Sequence, residues 1–307
     1  MKSWILIVAL LLNFPSVYAQ TLKEDNDLGF RLLKEGNYAA AVTAFTKVIE
    51  ADQNNASSYA NRAVAYIKLG NLTDAISDST QAIEINPKFA LGYSNRGSAY
   101  VIRGDFKSAI ADYSKAIEIN PADIPAYANR AKAYLQQGNL TGALSDYSQA
   151  IKLSPKAEPF YRNRGLVYIK MGDLTDAMSD LNKAIELDSK DAKVYYVRGT
   201  IFYKQNNFIQ AVLDYSQVID LSPKNINAYM GRALIYLREN DVNRGISDLN
   251  KVLALNPQNA KAYLNRAAGY YQLKQYDKAW SDVQKAKALG GKANSQFIEA
   301  LKKASGK

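Results

Sequence analysis

The sequence repeats itself every 34 residues. Tyr59, Tyr93, Tyr127, Tyr161, Tyr195, Tyr229 and Tyr263 are spaced by that interval, and so are Arg62, Arg96, Arg130, Arg164, Arg198, Arg232 and Arg266. A fixed period of this length calls for a stack of like units, because one such unit cannot bury its apolar face alone. With the tyrosine placed at position 4, eight gapless units follow: 22–55, 56–89, 90–123, 124–157, 158–191, 192–225, 226–259 and 260–293.

Each unit reads as two helices. At 100° per residue, positions 4, 8 and 11 fall on one stripe of a first helix, A. Position 8 is always Gly or Ala, and position 11 is aromatic in every unit but the first. Gly at position 15 in the first five units stops helix A. Positions 20, 24 and 27 make the matching stripe on a second helix, B, and Pro at position 32 follows it in five units. Small residues at 8, 20 and 27 let the backbones approach, and tyrosines at 4, 11 and 24 fill the space between. The tyrosine content is thus expected to serve packing.

This unit resembles the tetratricopeptide repeat in its period and in its small, aromatic and proline positions. The resemblance implies an all-α fold, an α-solenoid wound as a right-handed superhelix, that presents a concave groove to another protein. Tyr replaces the family's usual Trp at position 4, and Arg mostly replaces its Leu at position 7.

The segments flanking the repeats are short. Residues 1–19 place Lys2 before an apolar run from Trp4 to Phe14, then Pro15 and the small residues Val17 and Ala19. The layout is that of a cleavable secretory signal peptide, with an exported, periplasmic or secreted chain starting at Gln20 and no membrane span thereafter. Its formal charge would fall from +10 to about +9. At the other end, residues 292–304 put Phe297, Ile298 and Leu301 on one helical face, as a capping helix over the last repeat would.

The sequence holds no His and no Cys, which removes imidazole bases, thiolate nucleophiles and His or Cys metal sites. With no catalytic motif in the repeats, the expectation is a non-enzyme without cofactor or metal that binds a protein or peptide. Self-association through the groove or the ends is a further option. The basic surface leaves an alternative, a polyanion such as an acidic glycan or nucleic acid, of which nucleic acid is the less expected.

Two rows of residues stand out. Position 7 is Arg and position 23 is Asp in the same seven units: Arg62 with Asp78, Arg96 with Asp112, Arg130 with Asp146, Arg164 with Asp180, Arg198 with Asp214, Arg232 with Asp248 and Arg266 with Asp282. Unit 1 lacks both, holding Leu28 and Ala44. Joint presence and joint absence predict structural ion pairs within each unit. Positions 2, 6, 9 and 13 lie opposite the helix A stripe and are expected to line the groove. Position 6 supplies Asn61, Asn95, Asn129 and Asn163, with Asn265 isolated. An amide can both donate to and accept from a peptide backbone, and the row is similar to the asparagine ladder in the repeat superhelix of O-GlcNAc transferases. Position 13 adds Lys68, Lys170, Lys204 and Arg238. Together these favour an extended, acidic polypeptide. Solvated polar positions are the alternative reading of both rows.

Overall fold

The computed structural model describes residues 22–306, so the proposed signal peptide at 1–19 lies outside the described residues. Seventeen α-helices and no strand occur among the described residues. They are α1 (22–35), α2 (Tyr38–Ala51), α3 (Ala56–Leu69), α4 (Leu72–Ile85), α5 (Ala90–Arg103), α6 (Phe106–Ile119), α7 (Ile124–Gln136), α8 (Leu140–Leu153) and α9 (Glu158–Met171), followed by α10 (Leu174–Leu187), α11 (Ala192–Lys204), α12 (Phe208–Leu221), α13 (Ile226–Arg238), α14 (Val242–Leu255), α15 (Ala260–Gln272), α16 (Tyr276–Ala288) and α17 (Ser295–Ser305). Odd-numbered helices up to α15 are helix A of a repeat, and even-numbered ones are helix B. The chain divides into two compact units, one ending at Gly172 and the other beginning at Asp173. Within each, consecutive helices pack as an α-solenoid of helix pairs.

The turn between A and B has one conformation throughout. Position 15 takes a left-handed backbone at Gly36, Gly70, Gly104, Gly138 and Gly172. The later repeats keep that geometry without glycine, at Asn206, Asn240 and Lys274, where φ is 58°, 62° and 58°. Asn tolerates this region; a lysine pays for its Cβ there. Helix B opens on a side-chain cap in most repeats, as where Asp105 accepts from the Ser108 N–H at 3.1 Å.

The A–B interface is as tight as the small residues imply. A Cβ on Gly97 would lie 3.1 Å from the Tyr113 ring, and one on Gly29 would lie 2.6 Å from that of Phe45. The ring at position 24 therefore sits directly against position 8. Tyr113 and Tyr147 are each 1% exposed. Burial pushes both phenols up to about 12.

Helix A has a second buried face. Position 3 (Ala126, Val194, Ala228, Ala262) and position 10 (Ala65, Ala99, Ala133, Val167, Ile201, Ile235) are also buried. They face the preceding repeat: a Cβ on Gly92 would touch Ile83, and one on Gly269 would touch Ile246 and Leu237. Over the last repeat, α17 buries Leu301 completely against a cluster containing Ala279 and Val283. Trp280 Nε1 donates to Ser305 Oγ at 3.0 Å. This helix starts three residues later than 292 because Gly290 is left-handed and Asn294 caps the new turn.

Relieving the αL lysine is the simplest test of the turn. Lys274→Gly is expected to raise stability by about 1 kcal/mol. A lower melting temperature in thermal denaturation would contradict it.

Candidate functional site

The arginine row is the most ordered polar feature. In six repeats, Arg Nε and Nη2 donate to the two oxygens of the Asp sixteen residues on, all at 2.7–2.9 Å. These are Arg62–Asp78, Arg96–Asp112 and Arg130–Asp146 in the first compact unit, and Arg198–Asp214, Arg232–Asp248 and Arg266–Asp282 in the second. Arg164 belongs to the first unit and Asp180 to the second. The forked geometry matches the guanidinium to the carboxylate. The carboxylates are nearly buried, and Asp146 retains only 4% of its side-chain exposure. The carboxylate hydrogen bond holds the Arg62, Arg96, Arg130, Arg232 and Arg266 guanidinium groups above their ordinary pKa.

A third contact was not read from the sequence. Arg Nη1 donates to the residue sixteen positions back, in the preceding repeat, at 2.6–3.1 Å. The acceptors are Thr46, Thr80, Ser114, Ser148, Asn182, Ser216 and Asn250, all at position 25. The signal was present, because position 25 is a polar residue in every repeat. In six of these repeats the guanidinium also lies between two rings of its own helix; Arg96 has one, Tyr93. Arg130 is 5.7 and 5.8 Å from the ring centres of Tyr127 and Tyr134. The tyrosines thus fall into two kinds: those at position 24 are core, while those at 4 and 11 flank the arginine and, apart from buried Tyr229, are half-buried.

The helix A positions expected from the sequence to line a groove differ in exposure. Positions 2 and 13 are exposed in all eight repeats. In the first unit they carry Lys23, Lys34, Lys68 and Lys170; in the second, Lys193, Lys204, Arg238 and Lys261. Neither position holds an acid in any repeat. Arg238 also reaches the Phe208 ring, 4.7 Å from its centre.

The asparagines at position 6 are not equivalent. Asn95 is buried, and its Nδ2 donates to the Ala60 carbonyl of the preceding repeat at 2.8 Å. Asn61 is also buried, with Nδ2 3.3 Å from Ser57 Oγ. Asn265 points its amide at Met230 Sδ, 3.2 Å away. Asn129 and Asn163 are half-buried, and Asn129 Oδ1 accepts weakly from Lys132 at 3.4 Å. The first unit therefore offers two of the four successive asparagines with appreciable exposure. In the second unit the same face is more apolar, with half-buried Tyr196, Tyr203, Met230, Leu234, Leu264 and Tyr271.

Comparison with known proteins agrees with this architecture. A sequence profile described as TPR repeat matches residues 97–138, 131–172, 166–206 and 199–240. Two described as tetratricopeptide repeat match 32–89 and 230–294. The chain belongs to the tetratricopeptide repeat family, a class of protein-interaction scaffolds. No curated protein matches it. A tetratricopeptide repeat protein from Parabacteroides merdae has the same fold at 23% identity, with a TM-score of 0.57 over 83% of this chain and 100% of that one. The Cut9–Hcn1 hetero-tetramer of the APC/C matches at 19% identity and a TM-score of 0.55, over 87% of this chain and 52% of that one. YrrB, described as having an unusual peptide-binding site, matches at 21% identity and a TM-score of 0.51, over 60% and 95%.

The ion pair gives a direct test. Asp146→Ala would leave the Arg130 charge in a mostly buried site and is expected to cost roughly 3–5 kcal/mol. Ser114→Ala, which removes the inter-repeat bond and the Ser114 Oγ–H bond to the Ile110 carbonyl of its own helix, should cost about 1 kcal/mol. Urea denaturation followed by circular dichroism reads both, and an Asp146→Ala variant as stable as the parent would refute a buried pair.

Proposed function

We propose that this protein is an exported, non-catalytic scaffold that holds an extended acidic polypeptide on the helix A face of its repeats. The observation that carries the reading is the charge at positions 2 and 13: every repeat exposes both, half of these residues are cations, and none is an acid. Such a face attracts carboxylate-bearing partners and repels basic ones. Asn129 and Asn163 supply amide donors and acceptors beside Lys132 and Lys170, suited to a peptide backbone. Each such bond adds only about 0.5–1.5 kcal/mol, so the charges contribute steering and the amides register.

Fluorescence anisotropy with a labelled Glu-rich dodecapeptide tests this. Lys68→Glu with Lys170→Glu should weaken binding at least tenfold, and Asn129→Ala with Asn163→Ala several-fold. An analogue with Gln in place of Glu should bind far less well. Equal binding of the Glu and Gln peptides would remove the acidic-partner reading. A polyanion binder would instead prefer an oligonucleotide or acidic glycan, with a steep linear loss of log affinity against log salt.

Export rests on residues 1–19, which have the charge, apolar run and small-residue pattern of a cleaved leader. The chain recovered from its native host should begin at Gln20 by N-terminal mass analysis. A chain retaining Lys2 would contradict cleavage.

A further inference from the structure

The outer face of helix B is polar or small in every repeat but one. Position 18 is Ala, Thr, Lys, Asn or Asp elsewhere, and position 22 is Thr, Ser or Ala. In the sixth repeat they are Ile209 and Leu213, one turn apart on α12. Ile209 is 76% exposed and Leu213 57%, the former the most exposed large apolar side chain among the described residues. Repeat packing accounts for neither, since seven repeats fold with polar or small residues there.

The two side chains border a shallow cavity of about 370 Å³, which Phe208, Val212 and Tyr236 also line. Its rim carries both signs of charge. Glu239 and Asp241 stand beside Arg244, which is paired with Asp241 and lies 4.7 Å from the Tyr236 ring centre. Arg238 covers the Phe208 ring. The patch therefore differs from positions 2 and 13 of helix A, which hold cations and no acid.

We propose that this patch is a self-association surface, on which the α12 faces of two copies of the chain pack about a twofold axis. A twofold contact sets one surface patch against itself, so its rim must be electrostatically self-complementary. A rim of mixed sign satisfies that condition, because acid and arginine of one copy can meet arginine and acid of the other. The apolar centre supplies the driving force, with Ile209 and Leu213 entering the neighbour's cavity. An acidic partner would be drawn to the helix A face instead, and an anionic lipid surface gains little from a rim on which acids offset the arginines. Fourteen-residue α12 is about 21 Å long, so the contact falls at the small end of specific interfaces and gives a weak, reversible dimer.

The test uses a variant whose fold is already represented in the chain. Ile209→Thr with Leu213→Ser installs the pair found at Thr73 and Ser77, Thr141 and Ser145, and Thr175 and Ser179. Sedimentation velocity is run from roughly 1 to 200 μM, where contacts of this size dissociate. The expected result is a parent protein whose mean mass climbs from one chain toward two, and a double variant that stays at one chain with an unchanged circular dichroism melt. A parent that remains at one chain throughout, or a variant that associates as strongly as the parent, overturns the proposal. The dodecapeptide titration should be the same for both proteins, so failure here is distinguishable from failure of the peptide-binding reading.

Discussion

In six of the eight repeats one guanidinium holds the helix pair in register. It spends Nε and Nη2 on the aspartate of its own helix pair and Nη1 on a short polar side chain of the preceding one. A lysine could not do this, because its donors have no fixed fork. The pair is nearly dehydrated, so neither partner can be lost cheaply. The rings at positions 4 and 11 limit the guanidinium's freedom further. The apolar contacts bring the helices together without direction, and the arginine specifies which turn meets which.

The period, the helix pair and the Arg–Asp pairing were all legible in the sequence, since each rests on spacing along one chain. The co-occurrence of Arg and Asp in seven units, with Leu28 and Ala44 in the first, pointed to a pair within the repeat, and the geometry agrees in six. What periodicity hid was the second neighbour of helix A. A single stripe at 4, 8 and 11 treats the helix as having one buried side. An inner repeat has a partner helix on one flank and the previous repeat on the other, so Ala65, Ala99 and Ala133 are buried as deeply as Ala63 and Ala131. Alanine and glycine at those positions carry too little hydrophobic signal to reveal it.

The same oversight bears on the asparagine row. Read as a face, position 6 is open; in the fold it borders the inter-repeat seam. Asn95 turns its amide into that seam, and Asn129 does not. One residue type at one repeat position thus serves packing in one copy and stays partly available in another. Nothing in the local sequence marks the difference, because it is set by how closely the neighbouring helix approaches.

The arginine's two reaches are equal in length, sixteen residues forward and sixteen back. Both bonds therefore depend on offset alone and not on which copy supplies the partner. Excise any internal block of 34 residues and each remaining arginine still finds an acid ahead and a short polar acceptor behind. The array is in this sense indifferent to its own length. Copies can be gained or lost by recombination within the gene, at any cut point from the second repeat onward, without orphaning a buried charge.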